Sequence, residues 1–285
     1  MGRRIWCETL PLPEVAAAVE LLAARALMPL VAVRPWDLIA LPAVVEQCRA
    51  FDLPLGVWPM LDDAEGRWAN TDDMSRFCAF AREVHALAPG AELVVDLEPP
   101  IAELRRAVTL GPLPFAREAL GRARRLAEAR TELVALVESV HRAGGRASAA
   151  AMPSVLFDHP VFPWTQALLG TPLDGVAFDH VSVMLYPSMM EGWSRGALDR
   201  ARTRAAFAQL CRVARRRFGA RAGVSVGAVG IGALGDEPVY RGPRELLEDV
   251  TTAEASGVTE LSLFDLGGVL RRGGSPWLDA FATIV

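Results

Sequence analysis

Residues 93–100 read Leu-Val-Val-Asp-Leu-Glu-Pro-Pro, and this stretch decides the fold prediction. The apolar run of residues 93–95 is typical of a buried strand, and Asp96 and Glu98 follow it. Because side chains alternate along a strand, a spacing of two puts both carboxylates on one face. Barrels built from alternating strands and helices place their chemistry at the carboxyl ends of the strands. The stretch therefore predicts the fourth strand of an α/β barrel, with an acidic pair at its mouth.

Seven more strand-and-helix units surround this strand. Short apolar runs alternate with amphipathic stretches along the whole chain, which is typical of parallel sheets with helical crossovers. The eight predicted strands are Arg4–Thr9, Pro29–Val33, Leu55–Met60, Leu93–Glu98, Ala147–Met152, Val181–Tyr186, Gly223–Gly227 and Glu260–Asp265. Since no reversal of strand order is evident, closure is favoured over a doubly wound sheet. We predict an α/β protein that forms a single (β/α)8 TIM barrel.

The predicted helices fill the connections between these strands. They are Pro13–Ala26, Pro42–Phe51, Asp72–Leu87, Phe115–Ala143, Leu198–Phe218, Pro243–Ser256 and Pro276–Ile284. No Gly/Ser-rich linker or change of composition divides the chain, so residues 1–285 are interpreted as one barrel domain. Residues 99–114, rich in proline and apolar residues, could form a partial lid over the mouth.

Composition excludes several classes of function. Hydrophobic residues make up 52 % of the chain and charged residues 22 %, which is a globular balance. A formal net charge of -4 gives no general attraction to nucleic acid or to anionic membranes, so neither is expected as a partner. The given chain shows no secretory signal and no apolar run of about 18 residues, so we expect a cytoplasmic protein. Every one of the 30 basic residues is arginine, which excludes lysine-based Schiff-base chemistry.

Metal and thiol chemistry are not predicted either. The four cysteines are scattered without Cys-x-x-Cys spacing, and the four histidines lack the spacing of metal ligands. We therefore expect no metal and no cofactor, and we interpret the cysteines as buried, reduced thiols. A Gly-x-Ser-x-Gly nucleophile elbow is also missing from the sequence, which argues against a serine hydrolase.

Polar and aromatic residues follow several other predicted strands. Two carboxyl groups as close as Asp96 and Glu98 repel each other, which favours the protonated form of one and suits a general acid. Aromatic rings beside carboxylates suit sugars, whose C–H faces stack on indoles. We therefore predict a small-molecule or oligosaccharide ligand, bound at Glu8, Trp58, Asp62, Trp68 and Met184, with Asp96, Glu98, Tyr186 and Asp265 as catalytic residues.

Three motifs together resemble the barrel of glycoside hydrolase family 18. They are Asp-Leu-Glu at residues 96–98, the small-residue run Ser-Ala-Ala-Ala-Met-Pro at 148–153 and Met-Leu-Tyr-Pro at 184–187. That family comprises chitinases, endo-β-N-acetylglucosaminidases and non-catalytic lectin relatives. It usually carries Asp-x-x-Asp-x-Asp-x-Glu on strand four and Met-x-Tyr-Asp on strand six. In this resemblance Glu98 takes the place of the proton donor, Asp96 that of the assisting aspartate, and Met184 and Tyr186 those of the strand-six pair.

The resemblance implies a mechanism. Glu98 would protonate the departing glycosidic oxygen while the acetamido oxygen of the substrate attacks the anomeric carbon, oriented by Asp96 and Tyr186. For a sugar without an acetamido group a second carboxylate must act as nucleophile or base, and Asp265 and Glu8 are the candidates.

The chain departs from the family pattern at four positions. The two earlier aspartates of the strand-four motif fall on Ala91 and Val94, the aspartate after the strand-six tyrosine is Pro187, and the strand-eight tryptophan falls on Phe264. A barrel that binds sugar without cleaving it is therefore an alternative function.

Glycine-rich stretches support another alternative. Residues 224–235 read Val-Ser-Val-Gly-Ala-Val-Gly-Ile-Gly-Ala-Leu-Gly, and residues 266–274 read Leu-Gly-Gly-Val-Leu-Arg-Arg-Gly-Gly. Loops after strands seven and eight bind phosphate in many barrels, and Arg271 and Arg272 would add positive charge. The alternative function is that of a lyase or isomerase acting on a phosphorylated small molecule. Glycines that only allow tight turns would explain the same pattern.

Overall fold

The structure is a computed structural model that describes residues 2–110, 113–159 and 161–283. Eight parallel strands close a barrel in sequence order, which confirms the predicted (β/α)8 fold. The strands are β1 (Gly2–Cys7), β2 (Met28–Val33), β3 (Gly56–Pro59), β4 (Glu92–Leu97), β5 (Ala147–Ala151), β6 (His180–Met184), β7 (Ala222–Gly227) and β8 (Glu260–Phe264).

Helices occupy every connection between consecutive strands. They are α1 (Leu12–Ala23), α2 (Leu41–Ala50), α3 (Met74–Leu87), α4 (Ile101–Leu110), α5 (Leu113–Arg142), α6 (Trp164–Leu169), α7 (Pro187–Trp193), α8 (Arg200–Phe218), α9 (Pro243–Ala255), α10 (Leu266–Arg271) and α11 (Ser275–Ala282). Among the helices that the described residues form, none combines the length and the apolar character needed to cross a lipid bilayer.

All eight predicted strands exist, but several ends are corrected. The first strand was predicted over Arg4–Thr9 and runs over Gly2–Cys7. Its start was missed because Arg3 looks like a surface residue, yet Arg3 is buried and pairs with Glu254 at 2.5 Å, as Arg4 does with Glu260 at 2.9 Å. Three site residues that were predicted inside strands lie just beyond them: Glu98, Tyr186 and Asp265.

The segment predicted as a lid is largely helical. Within residues 99–114, α4 begins at Ile101, whose side chain is buried, and α4 packs against α5. Residues 111 and 112 of this segment lie outside the described residues, as do the ends of the predicted domain at residues 1 and 285 and the predicted helix end at Ile284. Closure over the mouth stays a prediction.

The chain divides into two compact units. Unit 1 comprises residues 1–31, 43–56 and 181–285, and in it β1 pairs with β2 and with β8, while β7 pairs with β6 and with β8. Its interior holds a polar chain, because the Trp6 indole donates to the Ser225 hydroxyl at 3.1 Å and Ser225 lies 2.9 Å from the Ser182 hydroxyl. A fully apolar interior would offer these hydroxyls no partner, so the three residues satisfy one another.

Unit 2 comprises residues 32–42 and 57–180. Here β4 pairs with β5 in parallel, and the paired residues run from Leu93 with Ala147 to Leu97 with Ala151. The helices α3, α4 and α6 all pack against α5, which is 30 residues long and so extends about 45 Å. Asp96 lies on β4, and Glu98 follows the end of this strand.

Candidate functional site

The acidic pair lies at the carboxyl end of β4, inside unit 2. Asp96 is 2 % exposed and Glu98 is 8 % exposed. Asp96 pairs in register with Ala150, and Leu97 with Ala151, so the neighbouring strand presents only methyl groups beside the aspartate. Ala150 and Ala151 are themselves buried, each 1 % exposed.

The loop after β3 is bonded to the chain on both sides of Glu98. The Ala69 N–H donates to the carbonyl oxygen of Asp96 at 2.9 Å, and the Ile101 N–H donates to the carbonyl oxygen of Gly66 at 3.4 Å. These bonds hold residues 66–69 beside the end of β4. Trp68 of the predicted site therefore lies in a loop that is bonded to the end of β4.

The two predicted tryptophans are almost completely covered. Trp58 on β3 and Trp68 in the following loop are each 3 % exposed. The Asn70 side-chain amide donates to the carbonyl oxygen of Trp68 at 2.9 Å, and the Arg67 guanidinium lies 5.4 Å from the Trp68 ring centroid. Both indoles are firmly packed, and sugar contact by either stays a prediction.

Asp62 has a local role in the same loop. It precedes the short 3-10 turn Asp63–Glu65, and its carboxylate accepts the Ala64 N–H at 2.9 Å. This is ordinary capping, which orders the loop. Ligand binding by Asp62 stays a prediction.

Three arginines that the sequence analysis did not select converge on the neighbouring residue, Asp63. The Arg34, Arg67 and Arg105 guanidinium groups lie 3.7, 3.5 and 3.3 Å from its carboxylate oxygens. They follow β2, β3 and β4, so each comes after a strand end. That shared position is the signal that could have revealed them.

In unit 1, Asp265 caps the helix that follows β8. Its carboxylate accepts the Gly268 N–H at 2.8 Å and the Thr9 hydroxyl at 2.5 Å, and the residue is completely buried. Burial raises the pKa of Asp265 above its ordinary value, although the hydrogen bond from Thr9 lowers it. These contacts give Asp265 a structural task, and its catalytic role stays a prediction.

Tyr186 is the first residue before α7 and has a backbone φ of 28°, a value that few residues other than glycine adopt. Its ring lies 5.7 Å from that of Phe264, the last residue of β8. Met184, at the end of β6, is 8 % exposed, and Glu8 is partly buried after β1. Unit 1 thus holds Glu8, Met184, Tyr186 and Asp265 at strand ends, and their functional roles stay predictions.

The glycine-rich loops of unit 1 already hold carboxylates of the chain itself. Glu237 accepts the N–H groups of Leu234 at 2.8 Å and Gly235 at 3.0 Å, and Asp265 accepts that of Gly268. A carbon atom added at Gly230 would lie 2.7 Å from the Gly268 Cα, so these glycines allow two backbone segments to touch. The contacts favour a structural role for the glycines over phosphate binding.

No group of three or more histidine, cysteine, aspartate or glutamate side chains suited to a metal ion occurs among the residues described.

Comparison with known proteins supports the fold. No protein-family model matches the chain, and no curated protein does. Among solved structures, the glycoside hydrolase domain of PgaB (BpsB) from Bordetella bronchiseptica aligns with a TM-score of 0.61, at 11 % identity over 100 % of both chains. A class V chitinase from Nicotiana tobaccum aligns with a TM-score of 0.55, at 10 % identity over 99 % of each chain.

A chitinase from Chromobacterium violaceum aligns with a TM-score of 0.54, at 13 % identity over 98 % of this chain and 97 % of the chitinase. At such identities the likeness establishes the shared fold. The chain is therefore a (β/α)8 barrel of the architecture that these carbohydrate-active proteins use.

Proposed function

We propose that this chain is a glycoside hydrolase-like barrel that acts on a carbohydrate ligand, with Glu98 as the general acid. The observation that carries the proposal is the placement of Asp96 and Glu98, two nearly buried carboxyl groups at the carboxyl end of a barrel strand. Barrel enzymes place their chemistry at this end, and a carboxyl group in a covered site suits proton donation.

The proposed roles are those that the resemblance to glycoside hydrolase family 18 implies for these residues. Glu98 donates a proton to the glycosidic oxygen, so that the leaving sugar departs as an alcohol. Asp96, two residues earlier and at the end of β4, orients the N-acetyl group whose oxygen attacks the anomeric carbon. An N-acetylated sugar is therefore the substrate class that we propose.

Two further observations support carbohydrate over a phosphorylated ligand. The solved structures of similar fold include a glycoside hydrolase domain and two chitinases. In addition, carboxylates of Glu237 and Asp265 accept the backbone N–H groups that a phosphate would require in the glycine-rich loops.

The test is a matched pair of glutamine variants, one just after β4 and one at its start. Glu98→Gln keeps the size of the side chain but removes its proton, and it should lower the release of reducing ends from chitohexaose by about 10²-fold or more. Glu92→Gln, at the other end of the strand where Arg146 lies 4.0 Å away, should retain turnover.

The outcomes separate the candidate functions. Full activity of Glu98→Gln would rule out Glu98 as the acid. Binding of chitohexaose by the wild type without any cleavage would instead support the sugar-binding, non-catalytic alternative. Tight binding of inorganic phosphate that depends on residues 227–235 would support the lyase or isomerase alternative.

A further inference from the structure

Glu98 lies in a short link between a strand and a helix. The strand β4 ends at Leu97, and the helix α4 begins at Ile101. Only Glu98, Pro99 and Pro100 lie between them. Proline fixes its own φ and restricts the backbone of the residue before it, so Pro99 constrains Glu98 and Pro100 constrains Pro99. A shift of α4 would therefore move Glu98, because the link is too stiff to absorb it.

The strand side of this link is fixed by the sheet. Leu97 pairs in register with Ala151 of β5, and the Ala69 N–H donates to the carbonyl oxygen of Asp96 at 2.9 Å. Backbone pairing of this kind holds the end of β4 in place. The position of Glu98 therefore depends on what holds the other side of the link, the first turn of α4.

A buried arginine contacts that first turn. Arg122 of α5 is completely buried, and its Nη2 donates to the Glu103 carboxylate on α4 and to the Asp72 carboxylate at 3.1 Å. The Glu103 side chain is 15 % exposed, and that of Asp72 is 27 % exposed. Ion pairs that are largely shielded from water are screened much less than surface pairs. The Arg122–Glu103 pair therefore joins α4 firmly to α5.

The Glu103 carboxylate is available for this pair because of the proline before the helix. Glu103 is the third residue of α4, where a glutamate often accepts the N–H of the residue that precedes the helix. That residue is Pro100, which has no N–H. The Pro100 carbonyl oxygen accepts the N–H groups of Glu103 at 2.9 Å and Leu104 at 3.1 Å. The turn is thus closed by the backbone, and the carboxylate pairs with Arg122.

Two further contacts of α4 are weaker than this pair. Arg105 lies 3.3 Å from Asp63, but their side chains are 49 % and 41 % exposed, and exposed ion pairs stabilise little. The Ile101 N–H donates to the Gly66 carbonyl oxygen at 3.4 Å, which is long for a hydrogen bond. Neither contact should hold the first turn of α4 as firmly as the buried pair does.

We propose that Glu103 and Arg122 are positioning residues for Glu98. Their buried pair fixes α4 and, through the two prolines of the link, the place of the general acid. The inference rests on the proposed function of Glu98. Asp72 contacts the same guanidinium group but precedes α3, so its removal leaves Glu103 paired with Arg122.

The experiment compares two variants that each remove one carboxylate from Arg122. Glu103→Gln releases α4, so it should lower kcat for chitohexaose about tenfold and leave KM within about twofold, because the acid is misplaced and the sugar contacts remain. Asp72→Asn should change kcat by less than about twofold, since α4 stays paired. Equal losses of kcat in the two variants would overturn the positioning role.

An activated substrate separates a misplaced acid from general damage to the fold. The 2,4-dinitrophenolate ion leaves without a proton, so 2,4-dinitrophenyl chitobioside needs little help from Glu98. For this substrate kcat/KM, which reports the steps up to departure of the aryl group, should stay within about twofold of wild type in Glu103→Gln. A loss as large as that on chitohexaose would show a structural defect and contradict the proposal.

Hydrogen exchange measures the hold on α4 without any substrate. The N–H groups of residues 103–106 should exchange at least about tenfold faster in Glu103→Gln than in Asp72→Asn, because the first variant alone releases the turn. Equal exchange would overturn the proposal even if the chain cleaves chitohexaose. Full turnover by Glu98→Gln would instead reject Glu98 as the acid, and faster exchange in Glu103→Gln would then show a structural contact alone.

Discussion

The Gly268 backbone N–H donates a 2.8 Å hydrogen bond to the Asp265 carboxylate, which joins the end of β8 to the first turn of α10. Asp265→Ala removes this cap and the bond from Thr9, and it should lower the free energy of unfolding by about 2 kcal/mol. Asp265→Asn retains an acceptor for the Gly268 N–H, so its free energy of unfolding should fall by less. Urea denaturation of both variants measures the difference, and equal losses would contradict a capping role.

The stability that Asp265 contributes should depend on pH. Burial raises its pKa above the ordinary value of 3.8, so the folded chain binds this proton more tightly than the unfolded chain. The contribution is therefore fully present below pH 3.8 and is lost as the pH rises through the folded-state pKa. Because Asp265→Asn cannot titrate, its stability relative to wild type should rise over that interval. If the difference in free energy of unfolding between Asp265→Asn and wild type stayed constant from acidic to neutral pH, the raised pKa of Asp265 would be contradicted.

Gly268→Ala should be strongly destabilising. The added methyl group would collide with the backbone of Gly230, which has no side chain to move aside. Overpacking against a backbone segment should lower the free energy of unfolding by about 3 kcal/mol. Gly242→Ala is the matched control, because a methyl group there meets nothing within 4 Å. Thermal melting should show a large drop for the first variant and almost none for the second.

Arg122 should matter far more for stability than its helix neighbour Arg125. The Arg122 side chain is completely buried and pairs with Asp72 at 3.1 Å and with Glu103. Arg122→Gln removes the positive charge that faces the Asp72 and Glu103 carboxylates. It should lower the free energy of unfolding by about 3 kcal/mol. Arg125 also pairs with Asp72 but is 47 % exposed, so Arg125→Gln should cost less than about 1 kcal/mol. If chemical denaturation showed that both variants lose a similar free energy of unfolding, burial would not explain the contribution of Arg122.

The four cysteines should resist alkylation in the native chain. All are buried, and burial raises the pKa of Cys48 to about 11 and that of Cys78 to about 12. Since the thiolate is the reactive form, iodoacetamide at pH 8 should leave the folded protein unlabelled. In concentrated guanidinium chloride all four should react, and mass spectrometry counts the adducts. Rapid labelling of cysteines in the native chain would contradict their burial.

The barrel could be predicted because its signals are local. Apolar strands such as Leu93–Val95 and amphipathic helices such as α9 carry their pattern within a few residues, so all eight strands were found. Strand ends were less certain, since Arg3 and Arg4 are buried only through carboxylates more than 240 positions away. A local pattern cannot show such partners.

The residues of the candidate site were also selected from local patterns, and their roles stay predictions. Asp96 and Glu98 were selected from their spacing on one strand, and the structure places the loop of Trp68 beside them. The cap formed by Asp265 and the arginines around Asp63 were missed. The cap also uses Thr9, 256 positions away in the sequence, and the arginines come from three different segments of unit 2. Arg34, Arg67 and Asp63 look like scattered surface charges until β2 and β3 are assembled.

The small side chains of β5 affect how this protein can change over evolution. Ala150 pairs with Asp96, and every residue of β5 is alanine or serine. Enlarging position 150 to valine or leucine adds volume directly beside the aspartate without altering either carboxylate. Under the proposed function, such a substitution would change the size of the ligand accepted beside Asp96 while both carboxyl groups stay as they are. Libraries for altered specificity should begin there.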